Sequence, residues 1–356
     1  MQKQTLMREL SIKIVLGSIS IFYLGCTLDE LRFKEVNIDI SEAIPLIFEG
    51  SLNSDQNIYL PGEITTTKSG GIIIWDGSDK KIKVIDSEGI FLKDFGNNGR
   101  GPTELEDVNK FIIDDEGKLT VVDFTLYKVQ TYSKNYDLIS ERIYHSKTHI
   151  NEVEIMGDSL LLRASSKDSL LFLSDFNGSV QSEFGKPIIN AEEDLSNYSI
   201  ENFISDGDII PRYQKQIMIN KVGENIFVYF ESYSILQCYN LNEELIWVKK
   251  INFPANKTLL SHAKDAAQFA GRFPYIRYIE DWKIINNEIF FLTTRTKEIP
   301  NLIVNLDTNG NLKKVYTFNP EQKMALTHLA IDINKKNIFV TDIYNGEVLK
   351  FKIPSL

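Results

Sequence analysis

One pattern, repeated along the chain, constrains the fold more than any other feature. The segments GIIIWDGSDKKIKVIDSEG (71–89), KLTVVDFTLYKVQTYSKNYD (118–137), SLLLRASSKDSLLFLSDFNG (159–178), NIFVYFESYSILQCYNLNEE (225–244), EIFFLTTRTKEIPNLIVNLDTNG (288–310) and NIFVTDIYNGEVLKFKIP (337–354) share one layout. Each reads as an apolar strand, a polar turn and an alternating strand, the period-2 signature of β-structure. A turn residue follows at Asp86, Ser133, Asp175, Asn240 and Asp307, with Lys352 in the sixth copy. The gaps between these positions are 47, 42, 65, 67 and 45 residues. A four-stranded propeller blade takes about 45. Six copies therefore predict an all-β, six-bladed β-propeller of four-stranded blades over 36–356, and the two long gaps predict insertions of roughly twenty residues each.

The sixth copy stops after its third strand, near Phe351. A ring cannot leave that edge open, so the missing strand must come from the other end of the chain. VNIDISEAIPLIFEG (36–50) is the candidate to close the last blade, and the innermost strand of the first blade falls near NIYLPGEITTT (57–67). The aromatic content (21 Phe, 15 Tyr, 3 Trp) suits a chain made of strands.

Between the first two copies lies FGNNGRGPTELEDV (95–108). Its glycines supply positive-φ positions, and Pro102 stops the preceding strand. With Gly96, Gly99, Arg100, Gly101, Pro102 and Glu104 in place, this junction resembles that of NHL-like and TolB-like six-bladed propeller lipoproteins of the Gram-negative envelope. The resemblance covers about 36–354 and speaks for fold rather than activity. SEFGKPI (182–188) is a degenerate copy of the motif.

The N-terminus reads as an export signal over 1–25: Lys3, Arg8 and Lys13 precede IVLGSISIFYLG (14–25), which is too short to span a bilayer as a helix. Cys26 follows, and YLGC resembles a lipobox with Tyr23 in the place usually held by Leu. The resemblance implies cleavage before Cys26, acylation of that residue, a lipidated linker over 26–35 and an outer-membrane lipoprotein. More than one buried acyl chain would make the anchor stable. Asp29-Glu30 resembles signals that send some such lipoproteins to the outer face. With Cys26 taken, Cys238 is the one remaining thiol; its position matches Val84, Thr131 and Leu173 of other copies, so it reads as a small core residue.

The long gaps contain KPIINAEEDLSNYSIENFISDGDIIPRY (186–213) and PANKTLLSHAKDAAQFAGRFPYIRY (254–278). In the second, Leu259, Ala263, Ala266, Ala270 and Phe273 follow helical spacing, with Thr258 or Ser261 as cap and Gly271 as terminator. Both join an outer strand to the next inner strand, so Arg212, Tyr213, Arg272, Tyr275 and Arg277 are expected on one rim of the channel, together with Arg100 of the glycine-rich junction. Arg and Tyr are residue types enriched at binding hot spots. Asp123 and Asp342, from equivalent turns of two blades, complete the candidate site.

Chemical motifs are sparse. A formal charge of −10 without a Lys/Arg cluster excludes a nucleic-acid binder. His145 and His149 would sit about 13 Å apart on a strand, too far to chelate one ion. There is no H-E-x-x-H, G-x-S-x-G or Walker sequence, and no cofactor or metal motif. Two classes remain: a module binding an envelope protein, peptide or glycan at one propeller face, and a propeller hydrolase or lyase with its site at the channel mouth. Asp, Glu or His converging on the channel would mark the enzyme; Arg, Tyr and Phe would mark the binder.

Overall fold

Alternation along each strand has a particular outlet in this molecule: a strand between two neighbouring sheets sends successive side chains to different partners. Ile73 and Trp75 join a cluster with Phe111, Leu119 and Val121 of the following repeat, whereas Ile72 and Ile74 join Ala330, Phe339 and Val348 of the sixth. Both faces are thus covered, and Ile72–Asp76 is buried throughout.

The computed structural model describes residues 33–354 except 53–57, 145–151, 158, 164–168, 186, 189–198, 208, 210–212, 214–215, 320–323 and 335. Cys26, Arg212, His145 and His149 lie outside the described residues. Glu35–Leu356 form one compact unit.

Three strands open the described chain, β1 (Lys34–Asn37), β2 (Ile44–Pro45) and β3 (Ile47–Ser51). Blade one is β4 (Pro61–Thr66), β5 (Ile72–Asp76), β6 (Lys81–Ile85) and β7 (Phe91–Phe95). A small parallel pair, β8 (Asn97–Asn98) and β9 (Glu104–Leu105), leads to blade two: β10 (Val108–Ile113), β11 (Leu119–Asp123), β12 (Lys128–Tyr132) and β13 (Leu138–Ile143). Blade three is β14 (Val153–Met156), β15 (Ser159–Arg163), β16 (Leu171–Asp175) and β17 (Val180–Phe184). Helix α1 (Ile200–Asp206) precedes blade four, β18 (Ile217–Val222), β19 (Asn225–Phe230), β20 (Ile235–Asn240) and β21 (Leu245–Asn252). Helix α2 (Asn256–Ala270) precedes blade five, β22 (Ile279–Ile285), β23 (Glu288–Thr293), β24 (Leu302–Asp307) and β25 (Leu312–Thr317). Blade six supplies β26 (Leu326–Asp332), β27 (Asn337–Asp342) and β28 (Glu347–Lys352). The protein is an all-β, six-bladed propeller, each blade an antiparallel meander from inner to outer strand.

The recurring turn residue now has a mechanism. Asp86, Asp175 and Asp307 each accept the N–H groups two and four residues on through one carboxylate oxygen, at 2.8–3.0 Å. Ser133 does the same at 3.2 Å, and Asn240 accepts from Glu244. Every such hairpin carries a bulge at the start of its outer strand. The sixth copy has Lys352 instead because no hairpin follows: its outer strand is β3, pairing Leu349↔Ser51 through Lys352↔Ile47. Phe351 fastens the join, 5.4 Å from Phe48 and 4.9 Å from Phe318 of blade five.

Closure by 36–50 needs one correction. Only β3 enters blade six. Upstream, β1 adds a fifth strand outside β21, and β2 runs parallel to β25 with Ile44 opposite Tyr316. The segment is a strap along the outer edges of blades four and five, held because its apolar residues need cover: Val36 and Ile38 sink into the blade four–five core and Leu46 into the five–six core.

Helix α2 also departs from expectation in detail. Its buried residues are Ala263 and Ala267, with Leu259 and Leu260 half-buried, while Ala266 and Ala270 face solvent. Neither Thr258 nor Ser261 caps it; Ala255 precedes the first turn without a side-chain bond, and Gly271 ends the helix at φ 61° as expected. Cys238 is buried in the core, and burial pushes its thiol up to about 12.

Candidate functional site

All six inner strands run the same way, so every outer-to-inner junction emerges on one face, together with the turn joining second and third strands. Beneath that face, charged groups on the inner strands tie blades to one another. Lys110 of blade two meets Glu154 (2.8 Å) and Glu152 (3.1 Å) beside blade three and donates to the Ile219 carbonyl of blade four (2.8 Å). Lys283 of blade five meets Glu63 of blade one (2.7 Å) and Asp281 (3.2 Å), whose Oδ2 also accepts the Leu329 N–H of blade six (2.8 Å). Lys110 thus joins blades two, three and four directly, while Lys283 joins blades five and one and its partner Asp281 reaches blade six. Burial opposes both ammonium charges, but the paired carboxylates outweigh it and raise both lysine pKa values. Glu152 is pushed up to about 7, chiefly by burial, with Lys110 pulling the other way. Among the described residues, four acids thus do converge between the inner strands, as expected for the enzyme reading, but each is paired with a lysine. Lysines of this kind were not singled out in the sequence, because inner strands offer no local motif for them.

Asp123 and Asp342 occupy equivalent places at the ends of β11 and β27, fully buried. Asp123 accepts the N–H groups of Glu106 (2.7 Å), Asp107 (3.0 Å) and Leu126 (2.9 Å). Asp342 accepts those of Ala325 (3.0 Å) and Tyr344 (3.1 Å) and the Asn345 amide (2.8 Å). Their carboxylates latch each incoming junction to its blade. Asp76 is a third latch, accepting from Tyr59, Leu60 and Ser78. Burial works against its charge, yet Lys83 at 2.7 Å and those donors outweigh it and hold its pKa below the usual carboxylate range. Blades four and five, entered through the long insertions, carry Phe230 and Thr293 at this register instead.

The glycine-rich junction is likewise wound about one carboxylate. Glu104 accepts the Gly101 N–H, and a Cβ on Gly99, at φ 147°, would stand 2.2 Å from Glu104 Oε2. Lys128 donates to the carbonyls of Gly101 (2.8 Å) and Glu104 (3.0 Å). Arg100 projects outward, its side chain 79 % exposed, with Glu106 at 3.3 Å.

Tyr213, Tyr275 and Arg277 do come together, where the junctions into blades four and five meet. The Tyr213 and Tyr275 rings lie 6.0 Å apart, and the Tyr213 hydroxyl donates to the Phe273 carbonyl (2.9 Å). Arg277 Nε bonds Glu231 Oε1 (3.2 Å), and Nη1 lies 3.8 Å from Glu280. Burial opposes the Arg277 charge, but Glu231, Tyr275 and Glu280 outweigh it and raise its pKa; burial, then Glu231, raises that of Tyr275. Glu231 and Glu280 were missed because each is an ordinary acid at a strand end. Beside this cluster the two insertions pack helix on helix: Phe203 lies 5.9 Å from Phe273, and Lys264 donates to the Ser205 carbonyl. Phe269 projects from α2 at 96 % exposure.

The comparisons with known proteins agree with this architecture. A family described as a 6-bladed beta-propeller, DUF5128, has a model matching residues 53–244, and the chain belongs to that family. Two solved structures share the fold. A putative exported protein from Bacteroides fragilis matches at TM-score 0.53 and 15 % identity, over 90 % of this chain and 99 % of its own. A member of the duf4221 family from Bacteroides vulgatus matches at 0.50 and 9 %, over 88 % and 99 %. No curated protein matches the chain. A propeller of this kind supports a binding or protein-interaction role in general, because rigid blades hold variable junctions on one face.

Proposed function

We propose that this chain is an envelope-anchored lipoprotein, acylated at Cys26 and tethered to the outer membrane, whose junction face binds a protein, peptide or glycan. The observation that carries the binding half is the placement of both insertions. They build one helical layer at blades four and five and leave Phe269, Arg272, Tyr275 and Arg277 solvent-exposed beside it. An aromatic side chain 96 % exposed on a helix stabilises nothing within the fold. Aromatic and arginine side chains are the usual anchors of binding surfaces. The anchoring half rests on the basic, apolar and cysteine order of residues 3–26.

Crosslinking in cells, followed by mass spectrometry, tests the face. The wild-type protein is expected to capture a stoichiometric partner that the Phe269→Ala/Arg277→Ala double variant loses; equal capture by both would overturn the assignment of this face. Metabolic labelling with a palmitate analogue tests the anchor, with label expected on the wild type and absent from Cys26→Ser.

A further inference from the structure

Resting on the binding reading above, we infer that the Tyr275–Arg277–Glu231–Glu280 cluster is a site for a neutral oligosaccharide. Its parts are held in place before any ligand arrives. Tyr275 is 42 % exposed, so part of its ring faces solvent, while Tyr213 supports it at an interplanar angle of 59°. Its hydroxyl is held between Glu231 and Arg277. Glu231 is only 6 % exposed and fixes the guanidinium through Nε. The Arg277 side chain nevertheless remains 47 % exposed and the Glu280 side chain 20 %. A guanidinium has five N–H donors in a planar fork, more than its two carboxylate partners use.

The charges name the ligand class. One cation faces two carboxylates, so the cluster repels phosphate, sulfate and carboxylate groups, while the guanidinium already paired with both carboxylates offsets much of their pull on a cation. What remains complementary is a neutral molecule with an apolar C–H face for the tyrosine ring and hydroxyls that both donate and accept. Saccharides have that combination, with Arg277 donating to one hydroxyl oxygen and Glu280 accepting from the next. A single ordered aromatic with a few convergent polar groups fixes orientation at small entropic cost.

The test is calorimetric titration of the full chain in detergent micelles with unsubstituted gluco-, manno-, galacto- and xylo-hexasaccharides, alongside a uronic-acid hexamer. At least one neutral hexamer is expected to bind, and Tyr275→Ala to weaken it at least about tenfold, equivalent to about 1.4 kcal/mol. Arg277→Lys keeps the charge, loses the fork and is expected to weaken binding about fivefold or more. Tyr344→Ala, at the blade six turn, is expected to leave it unchanged. Circular dichroism identifies any variant that fails to fold. The inference is overturned if no neutral hexamer binds, if both site variants bind within twofold of wild type, or if the uronic-acid hexamer binds more tightly. Failure here, with a crosslinked protein still lost in the Phe269→Ala/Arg277→Ala variant, overturns the saccharide and keeps the docking face. Failure of both removes both.

Discussion

Three buried aspartates, Asp76, Asp123 and Asp342, show how one side chain fastens a junction to a blade. Each accepts two or more N–H groups that the turning chain would otherwise leave unmet in the interior. Replacing Asp342 by Ala strands the amides of Ala325 and Tyr344, so urea unfolding is expected to show a loss of about 1–3 kcal/mol. Asp342→Asn keeps a carbonyl acceptor and is expected to lose less. The sequence marked Asp123 and Asp342 as equivalent, but neither their task nor Asp76, because an aspartate aimed at backbone and one aimed at a ligand look alike in a strand-end pattern. The turn aspartates Asp86, Asp175 and Asp307 were legible, since their partners lie two and four residues away. Arg277 and Tyr275 were legible as exposed residue types near an insertion. Their partners Glu231 and Glu280 were not, for want of any local signal.

At the scale of elements, the strap and the closing strand differ in what they hold. β3 completes blade six, and Phe351 contacts both Phe48 and Phe318 there. Phe351→Ala is expected to cost about 3–5 kcal/mol by urea unfolding, since a fully buried ring is removed at the seam. Ile38→Ala, on the strap, is expected to cost about 2–4 kcal/mol while leaving the β28–β3 pairing intact by hydrogen exchange. The need for a closing strand was readable from the truncated sixth repeat. The strap was not, because β2 adds to an edge through backbone groups that any sequence supplies. In α2 the apolar spacing gave the helix but misjudged its face by one position, since alanines differ too little in hydrophobicity to mark one side.

Across the whole molecule, the two lysine hubs set a pH dependence. The Glu152 carboxyl, at about 7 in the fold against 4.5 as its ordinary value, keeps a proton that the unfolded chain releases earlier. Its contribution is full below about pH 4.5 and declines as pH rises through 7, because over that window the native state binds more protons than the unfolded one. Wild type is therefore expected to lose stability relative to Glu152→Gln between pH 5 and 8, by on the order of 1–3 kcal/mol in paired urea titrations. A flat difference across that range would contradict the assignment.

The place of the closing strand β3 has a consequence for synthesis. Ser51 and its neighbours leave the ribosome early, yet their partners near Leu349 are made last. At about 5–20 residues per second, the roughly 300 intervening residues keep that strand unpaired for about 15–60 s. Blades two and three make no pairing with it and are free to form meanwhile, whereas the blade-one core shares Ala330, Phe339 and Val348 with blade six. The final seam is thus an event of completed chains, and the apolar pair Ile47 and Phe48 stays without its partner strand until then.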